Sequence, residues 1–306
     1  MKHIPVMLDE CIEALNINPH GIYVDATFGY GGHSKAILER LEDGKLIVFD
    51  QDVNAIKTAK ALQQEQPNLV HVIFDNYANL KSRLAELNIH KVDGILADCG
   101  VSSMQLDEAE RGFSYRFDAK LDMRMNQTQT LSAYEVVNSY TKEQLLEILY
   151  GYGEEKFAKG IVKEILAARK SKPIQTTFEL VDLIKKGYPI KALSKPGHPA
   201  KQTFQAIRIE VNDELQSLKK MVEEGLELLN PKGRMAIISF HSLEDRIVKN
   251  AFNKVSKAPK VDKRLPLLEV SLEYQLVNNK VILAKEDESI NNPRSASAKL
   301  RVIERK

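Results

Sequence analysis

Short apolar runs alternate with segments of helical periodicity along the first hundred or so residues of the chain. The apolar runs predict buried strands at residues 22–24, 45–50, 70–74 and 94–98. Segments whose apolar residues recur every three or four positions predict helices at 9–15, 35–41, 53–62 and 79–87. This alternation favours an α/β fold with a mostly parallel sheet and helices on both faces.

The pattern changes after Asp98. About a hundred residues then offer no strand candidate, and residues 131–168 have helical periodicity. A helix at 213–229 and a strand at 234–240 restore the earlier alternation, with Pro231-Lys232-Gly233 as a stop between them. We therefore predict one α/β domain, residues 1–105 and 208–306, interrupted by a helical insertion at 106–207.

Local signals predict where several elements begin. Asn79 is a possible helix cap, Thr141 is a cap whose box Gln144 closes, and Thr176 or Thr177 starts another helix. Further signals lie towards the C-terminus. They are a capping box from Ser242 to Asp245, a hairpin of 269–276 and 280–284 joined by Asn278-Asn279, and a last strand at 300–304.

Composition narrows the class of protein. The chain has 306 residues, 43% hydrophobic and 28% charged, which is an ordinary balance for a globular protein. No apolar run approaches the roughly 20 residues of a membrane span, and the N-terminus lacks a signal-peptide pattern. The two cysteines, Cys11 and Cys99, lie far apart, which argues against a disulfide framework or a cysteine metal site. We therefore expect a cytoplasmic enzyme with no membrane partner.

The net charge of +2 conceals two basic tracts. Residues 246–264 carry seven basic residues and one acid, and residues 183–209 carry six basic residues and no acid. Either tract alone is as well explained by a solvated helix face or loop. Together with a nucleotide-type site, the two tracts favour a nucleic-acid partner.

A glycine-rich turn follows the first predicted strand. Gly29, Gly31 and Gly32 stand between that strand and a helix, where backbone N–H groups and the helix N-terminus can face a ligand. The spacing departs from the dinucleotide pattern, and an ordinary tight turn remains open. Asp50 lies 19 residues after Gly31, at about the distance of a ribose-binding acid, although it is also a possible helix cap. Tyr77, after the third strand, is either a cover for a purine face or a half-buried loop aromatic.

Seven segments of the chain resemble one known family. The stretch Asp25-Ala26-Thr27-Phe28-Gly29-Tyr30-Gly31-Gly32-His33-Ser34 is similar to its cofactor loop. Further matching segments are 98–114, 121–125, 198–200, 203–212, 239–246 and 292–301. Because the matches run in order along the chain, it is identified as a member of the S-adenosylmethionine-dependent ribosomal RNA small subunit methyltransferase H family, also called MraW.

The resemblance implies a fold, a reaction and a set of binding residues. The fold would be a Rossmann-like methyltransferase whose inserted helical domain recognises the substrate. The reaction would be methylation of the exocyclic N4 of cytosine 1402, in the decoding centre of 16S rRNA within the small ribosomal subunit. No metal is implied, and a homodimer is left open. The cofactor residues would be Gly31, Gly32 and His33 at the methionine and ribose end, Asp50 at the ribose, Tyr77 beside the adenine, and Asp98 and Gln105.

The reaction requires help for a poor nucleophile, because the lone pair of a cytosine amine is delocalised into the ring. A carboxylate that accepts a hydrogen bond from the amine localises that pair and helps to remove the proton. Asp98, at the end of a central strand, is the candidate, and a contact to the cofactor or a helix N-terminus is the alternative. His241 either contacts the base or a phosphate, or is structural. Cys99 suggests C5 methylation by a cysteine nucleophile, but the family has leucine there.

The charge distribution and the helical insertion suggest that rRNA is contacted by the basic tracts. Candidate contacts are Lys201, Arg208 and Arg246, with Phe113, Tyr115 and Phe204 as candidate stacking aromatics. The chain departs from the family at Met104, where proline is usual, and at Lys201-Gln202, where a small residue and a basic one are usual. Two other functions remain open: a nicotinamide-dependent Rossmann oxidoreductase, which the missing third glycine disfavours, and a non-catalytic rRNA-binding assembly factor.

Overall fold

The computed structural model describes residues 4–258 and 271–306, and these residues form two compact units. The sheet unit comprises the described residues of Met1–Gly100 and Leu215–Lys306, and the helical unit is Val101–Glu214. The helical unit therefore begins and ends a few residues outside the predicted insertion at 106–207. No helix among the described residues is both long and apolar enough to cross a membrane.

The strands all belong to one sheet in the sheet unit. They are β1 Ile22–Asp25, β2 Lys45–Asp50, β3 Val70–Phe74, β4 Val92–Asp98, β5 Leu229–Ser239, β6 Tyr274–Leu276, β7 Ile282–Leu283 and β8 Lys299–Arg305. The first five are parallel, in the order β3-β2-β1-β4-β5, and β8 pairs antiparallel with β5. This doubly wound order makes the sheet unit a Rossmann-like α/β domain.

Fourteen α-helices are described. They are α1 Leu8–Leu15, α2 Gly32–Leu38, α3 Val53–Glu65, α4 Leu80–Glu86, α5 Ser103–Asp107, α6 Ala133–Ser139, α7 Lys142–Gly151, α8 Ala158–Ala168, α9 Thr177–Gly187, α10 Ile190–Leu193, α11 Ala200–Asn212, α12 Glu214–Leu228, α13 Ser242–Ser256 and α14 Glu286–Asn291. In the sheet unit, α1, α2 and α3 pack on one face of the sheet and α4, α12 and α13 on the other.

The parallel strands are apolar throughout because helices cover both faces of the sheet. Successive side chains of a strand point to opposite faces, so Leu46 and Val48 join one hydrophobic cluster and Ile47 and Phe49 join the other. The helical unit has a third cluster of its own, formed mainly by α6–α9 and α11. The predicted absence of strands between residues 99 and 207 is confirmed, apart from one isolated bridge between Lys120 and Thr176.

Two predicted helix starts are confirmed. The Thr141 side chain accepts from the Gln144 N–H, and the Gln144 side chain accepts from the Thr141 N–H, which closes the box at the start of α7. Thr176 caps α9 in the same way. Asn79, in contrast, makes no cap bond to α4, and its amide Nδ2 donates to Asp75 Oδ1 at 3.0 Å.

The predicted capping box from Ser242 to Asp245 is wrong by one residue. The cap of α13 is His241, and the box closes through Glu244. Asp245 is engaged elsewhere, since it accepts from Arg301 Nε at 2.7 Å. A tertiary ion pair therefore takes the carboxylate that the local pattern assigned to the helix start.

The predicted hairpin of 269–276 and 280–284 is also wrong in the described residues; residues 269 and 270 lie outside them. Strands β6 and β7 do not pair with each other, and each pairs antiparallel with β8. The free edge of β8 gives both short strands a longer partner. The predicted stop at Pro231-Lys232-Gly233 lies within β5, where the pairing with β4 is irregular and Lys232 has φ +68°.

Candidate functional site

Aspartates mark the carboxyl edge of the sheet. Strands β1, β2 and β4 end on Asp25, Asp50 and Asp98, and Asp75 directly follows β3. Because these four strands are parallel neighbours, their carboxyl ends lie at one edge of the sheet. The strand order reverses between β1 and β4, which is where open α/β sheets bind ligands.

The glycine turn between β1 and α2 is fixed by its backbone and by Asp25. Gly31 has φ +75°, and a Cβ there would lie 2.5 Å from the Phe28 ring, so only glycine fits. Asp25 accepts from the Ser34 hydroxyl at 2.6 Å and from the Thr27 N–H at 3.1 Å. These bonds hold the first turn of α2 against the end of β1.

Asp50 is tied to the same turn. Its Oδ2 accepts from the Gly29 N–H at 2.9 Å, and its Oδ1 accepts from the Asp52 N–H at 2.8 Å. Burial raises the pKa of Asp50 to about 6, although both hydrogen bonds act to lower it. Helix α3 is capped by Asp52 instead, which accepts from the Asn54 N–H. Each oxygen of Asp50 retains a lone pair for a further donor.

Asp98 is the least satisfied of these carboxylates. Its backbone N–H donates to Thr27 Oγ1 at 2.7 Å, which ties the end of β4 to the glycine turn. Its Oδ1 is buried without a hydrogen-bond partner anywhere in residues 4–258 and 271–306. Burial raises the pKa of Asp98 to about 8, and the charges of Asp25 and Glu244 add to the shift. In the free protein the carboxyl is therefore mostly neutral at pH 7.

His33 makes a contact within the protein. Its Nε2 donates to the Val6 carbonyl at 3.0 Å, and its side chain is buried. Burial lowers the pKa of His33, so the ring is neutral. The bond ties the segment before α1 to the start of α2 and orients the ring beside Asp25, whose charge acts on it.

Tyr77 and Gln105 lie in different units. Tyr77 begins a short 3-10 turn just after β3 and is half-buried against the sheet cluster. Gln105 belongs to the helical unit, where its buried side chain accepts from the Ser102 N–H in the capping box of α5. For both residues, the role towards a cofactor stays a prediction.

His241 and Glu244 form the start of α13. The His241 Nδ1 accepts from the Glu244 N–H at 3.4 Å, and Glu244 Oε2 accepts from the N–H groups of Phe240 and His241 at 2.8 and 3.3 Å. The His241 Nε2 lies 3.2 Å from Glu244 Oε1. These contacts give His241 a structural role, while a contact to a base or phosphate stays a prediction.

The three predicted RNA-binding cations have different surroundings. Lys201 and Arg246 are exposed on α11 and α13. Arg208 is mostly buried and donates through Nε and Nη2 to Glu214 at 2.8 and 2.9 Å, so its charge is compensated within the helical unit. Part of the basic tract at residues 246–264 lies outside the described residues, namely Lys260, Lys263 and Arg264.

The predicted stacking aromatics are only partly accessible. Phe113 and Phe204 are buried in the core of the helical unit, so neither offers a face to a base in this structure. Tyr115 is half-buried, and its ring stacks on His198 with 4.3 Å between centroids.

The carboxyl edge suits a cationic nucleoside. Burial raises the pKa of Asp25, Asp50 and Asp98. A positive charge placed near these carboxyl groups favours their ionised form, and the resulting carboxylates stabilise that charge. The spare lone pairs of Asp50 suit hydroxyl donors, and the unpartnered Oδ1 of Asp98 suits an N–H donor or a cation. The chemistry of this donor set therefore fits S-adenosylmethionine, which carries a sulfonium and a ribose.

Sequence reasoning assigned no role to Asp25, Thr27 or Glu244. Asp25 and Thr27 hold the glycine turn, and Glu244 both caps α13 and raises the pKa of Asp98. One signal was available for Asp25, because it ends an apolar run just as Asp50 and Asp98 do. No local signal distinguishes Thr27, whose partner Asp98 is distant in sequence. The spacing of Glu244 from His241 is that of a capping box, but its effect on Asp98 acts between residues distant in sequence.

Nearly the whole chain is similar to proteins named as methyltransferases. A protein of Clostridioides difficile, named ribosomal RNA small subunit methyltransferase H, is 52% identical over 306 residues, which cover 99% of this chain and 98% of that one. A relative of the same name from Lactobacillus delbrueckii subsp. bulgaricus is 49% identical over 311 residues, covering 99% of each. An rRNA methylase structure from Streptococcus thermophilus aligns with a TM-score of 0.42 at 13% identity, covering 100% of this chain and 98% of that one. The model of the MraW methylase family matches residues 1–306, and the chain belongs to that family.

Proposed function

We propose that this protein methylates small-subunit ribosomal RNA, transferring a methyl group from S-adenosylmethionine to the exocyclic N4 of cytosine 1402 in 16S rRNA. The proposal is supported by membership of the MraW methylase family and by relatives named as small-subunit rRNA methyltransferases. The observation that carries it is Asp98, a carboxylate with a buried, unpartnered oxygen at the end of β4, tied to the glycine turn. Action on ribosomal subunits would place the protein in the cytoplasm.

The glycine turn and Asp50 hold the donor. S-adenosylmethionine supplies, when bound, a sulfonium methyl group that is already electrophilic. Gly31 and Gly32 would lie at the methionine end, in a turn closed by the bond from the Gly31 N–H to the Phe28 carbonyl at 2.7 Å. Asp50 would accept from the ribose hydroxyls while the Gly29 and Asp52 N–H groups keep its carboxylate in place. Tyr77 would cover the adenine. The task of these residues is alignment, because in-line geometry lowers the barrier of a methyl transfer.

Asp98 acts on the acceptor. In its ionised form it accepts a hydrogen bond from the cytosine amine, which localises the nitrogen lone pair. The bound donor would supply the methyl carbon to N4, and the electron pair of the broken carbon–sulfur bond would remain on sulfur. The amine then loses one proton, and Asp98 is the group that takes it. The raised pKa of Asp98 makes the carboxylate a better proton acceptor than an ordinary aspartate.

Cys99 does not suit nucleophilic attack. Its side chain is buried in the hydrophobic cluster of the sheet unit, among the apolar residues of β4, β5 and α13. Methylation at C5 requires a thiolate that reaches C6 of the pyrimidine. We expect Cys99→Ala to retain methyl transfer, whereas loss of transfer with the fold intact would favour C5 chemistry.

The helical unit is the proposed rRNA-recognition domain. Its exposed lysines supply charge for phosphates, and Lys201 at the start of α11 is one of them. Arg246 adds an exposed cation on α13 of the sheet unit. Because the target base lies in folded rRNA, it must leave its stack before the amine can reach the donor.

Binding of the donor separates the proposal from an oxidoreductase. Purified protein should be stabilised against heat by S-adenosylmethionine and S-adenosylhomocysteine, and not by NAD. Stabilisation by NAD alone would contradict the proposal.

Nucleoside analysis distinguishes the proposed methyltransferase from a non-catalytic assembly factor. Small-subunit rRNA from cells with and without the gene should differ by one N4-methylated cytosine. If the modification persists without the gene, the protein is not the enzyme that makes it.

A further inference from the structure

A cavity in the helical unit lies outside the residues assigned to the methyl donor and Asp98. It has a volume of about 370 Å³ and is lined by Tyr115, Arg116, Phe178, Val181, Asp182, Lys185 and His198. This volume lies in the lower part of the range for small-molecule sites in proteins. All of its walls belong to α9, to the segment before α6 and to the segment before α11.

Aromatic rings form part of the wall. The rings of Tyr115 and His198 are nearly parallel, with 8° between their planes, and the buried Phe204 supports Tyr115 edge-on at 5.8 Å. Phe178 contributes a ring that is 44% exposed although it belongs to an amphipathic helix. A flat π-face offered to solvent beside a cavity is the feature on which unpaired bases stack.

The charged side chains that line the cavity make no ion pairs among the described residues. Arg116, Lys185 and Asp182 are exposed, and none of them forms an ion pair within the part of the chain that the structure describes. The two cations act on His198, whose pKa is lowered by burial and by their charges, so the ring stays neutral. The cavity thus offers two cations for a phosphate and one carboxylate for base N–H donors.

We propose that this cavity binds one unpaired nucleotide of the rRNA strand, other than the base that is methylated. The base stacks on Phe178 or on the Tyr115–His198 pair, its phosphate lies between Arg116 and Lys185, and Asp182 accepts from the N–H groups of the base. RNA is favoured over a protein segment because the cavity residues Lys185 and His198 lie in a basic stretch of the chain, whose Lys186, Lys191, Lys195 and Lys201 are all exposed. The inference rests on the proposed function, since it supplies part of how the rRNA is held.

The test compares matched pairs of variants in the full-length protein. Phe178→Ala and Lys185→Gln alter the cavity, while Phe117→Ala and Lys142→Gln make the same chemical change at exposed positions that do not line it, Lys142 lying outside the basic tract. The probe is a fluorescein-labelled single-stranded RNA of mixed sequence, read by anisotropy. All four side chains are exposed, so thermal unfolding should be nearly unchanged, and this is measured for each variant.

Phe178→Ala should weaken RNA binding about tenfold, the cost of losing one stacked base. Lys185→Gln should weaken it less and reduce the salt slope by about 0.7, the contribution of one single-strand phosphate. The control variants should bind as the wild type does. Equal effects within each matched pair, or no effect of the cavity variants, would overturn the proposal.

Two further readouts identify what failed. If the cavity variants lose affinity for small subunits but not for the RNA probe, the cavity receives a ribosomal protein and the nucleotide assignment is wrong. Methyl transfer by the wild type is measured in parallel. Transfer with unaffected cavity variants would defeat this inference alone, whereas absence of transfer by every protein would defeat the proposed function.

Discussion

Asp98 combines two properties that a proton acceptor for a weakly basic amine requires. One oxygen is buried and unpartnered within the described residues, so it is available to a donor, and the backbone bond to Thr27 fixes the carboxylate relative to the glycine turn. Its pKa of about 8 reflects burial and two acidic neighbours, Asp25 and Glu244. Both properties concern the acceptor chemistry more than donor binding.

The first prediction concerns Asp98→Asn, which keeps the shape of the side chain but not its basicity. We expect kcat for methyl transfer to fall about 100-fold or more, with a far smaller rise in KM for the donor, which loses only the attraction between its sulfonium and the carboxylate. For the wild type, kcat/KM should rise with pH up to about 8, because only the ionised form accepts the proton. The variant should lack this rise. A raised KM with unchanged kcat would instead make Asp98 a donor contact.

The second prediction concerns protons released on donor binding. At pH 7 the free carboxyl of Asp98 is mostly protonated, and a neighbouring sulfonium lowers its pKa, so binding should release up to about one proton. S-adenosylhomocysteine lacks the sulfonium charge and should release markedly fewer. Calorimetry in buffers of different ionisation enthalpy measures the difference.

Asp98→Asn is the control for that titration, because it removes the titrating group and keeps the site. The variant should show no excess proton release with S-adenosylmethionine over S-adenosylhomocysteine. Equal release by the two ligands in the wild type would show that the sulfonium does not lie near Asp98.

At the scale of single residues, the sequence predicts where a side chain lies in the fold better than it predicts which residues that side chain contacts. Asp50 and Asp98 could be located because each ends an apolar run at the carboxyl side of a parallel strand. Arg208 looked available for phosphate, but it is paired with Glu214, six residues further on. Phe113 and Phe204 looked like stacking residues, yet the helical unit uses both for its core. These contacts depend on tertiary packing, which no local sequence pattern predicts.

At the scale of elements, the start of α13 joins fold and site. Glu244 accepts two backbone N–H groups at this helix start, and its charge also raises the pKa of Asp98. The local pattern predicted Ser242 and Asp245 for this role, but Arg301 on β8 occupies Asp245. The helix start is therefore decided by a contact between elements distant in sequence.

The third prediction concerns this helix start. Glu244→Ala leaves two backbone donors unpaired at a buried site and should lower the free energy of unfolding by about 1–3 kcal/mol. Ser242→Ala, at an exposed position, should change it by less than about 0.5 kcal/mol. Chemical denaturation measures both, and equal losses would return the cap to Ser242.

Glu244→Gln provides a readout that a purely structural role would not change. Glutamine keeps an acceptor for the two N–H groups but removes the charge that raises the pKa of Asp98. We expect a folded variant whose kcat/KM reaches half its maximum at lower pH than in the wild type. An unchanged pH profile would show that Glu244 does not act on Asp98.

The elements themselves were largely predictable. The parallel strands and most helix positions follow from apolar periodicity, and the boxes of α7 and α9 follow from local capping chemistry. The wrong predictions concern strand pairing, because β6 and β7 each pair with β8 rather than with each other. Residues 131–168 also divide into three helices, because short breaks let their apolar faces enclose one core.

At the scale of the whole molecule, charge is distributed for a polyanionic substrate. The net charge is only +2, yet the lysines of residues 183–209 are exposed in the described structure, and Arg208 is the one member that is mostly buried in an ion pair. Phosphate contacts of this kind release counterions from the nucleic acid. Affinity for the substrate should therefore depend strongly on salt.

The fourth prediction follows from that distribution. Binding to small subunits or to their rRNA should weaken at least about tenfold between 50 and 200 mM salt, as expected for several phosphate contacts. Binding of S-adenosylhomocysteine, measured over the same range, should change far less. An rRNA affinity that barely responds to salt would contradict electrostatic docking.

The most direct test of the account is transfer of an isotope-labelled methyl group from S-adenosylmethionine to purified small subunits that lack the modification. Mass spectrometry of the digested rRNA reports base, atom and position together. We predict label in N4-methylcytidine at position 1402, and its near-complete loss with Asp98→Asn. Absence of label, or label in 5-methylcytidine or at another position, would contradict the proposed reaction.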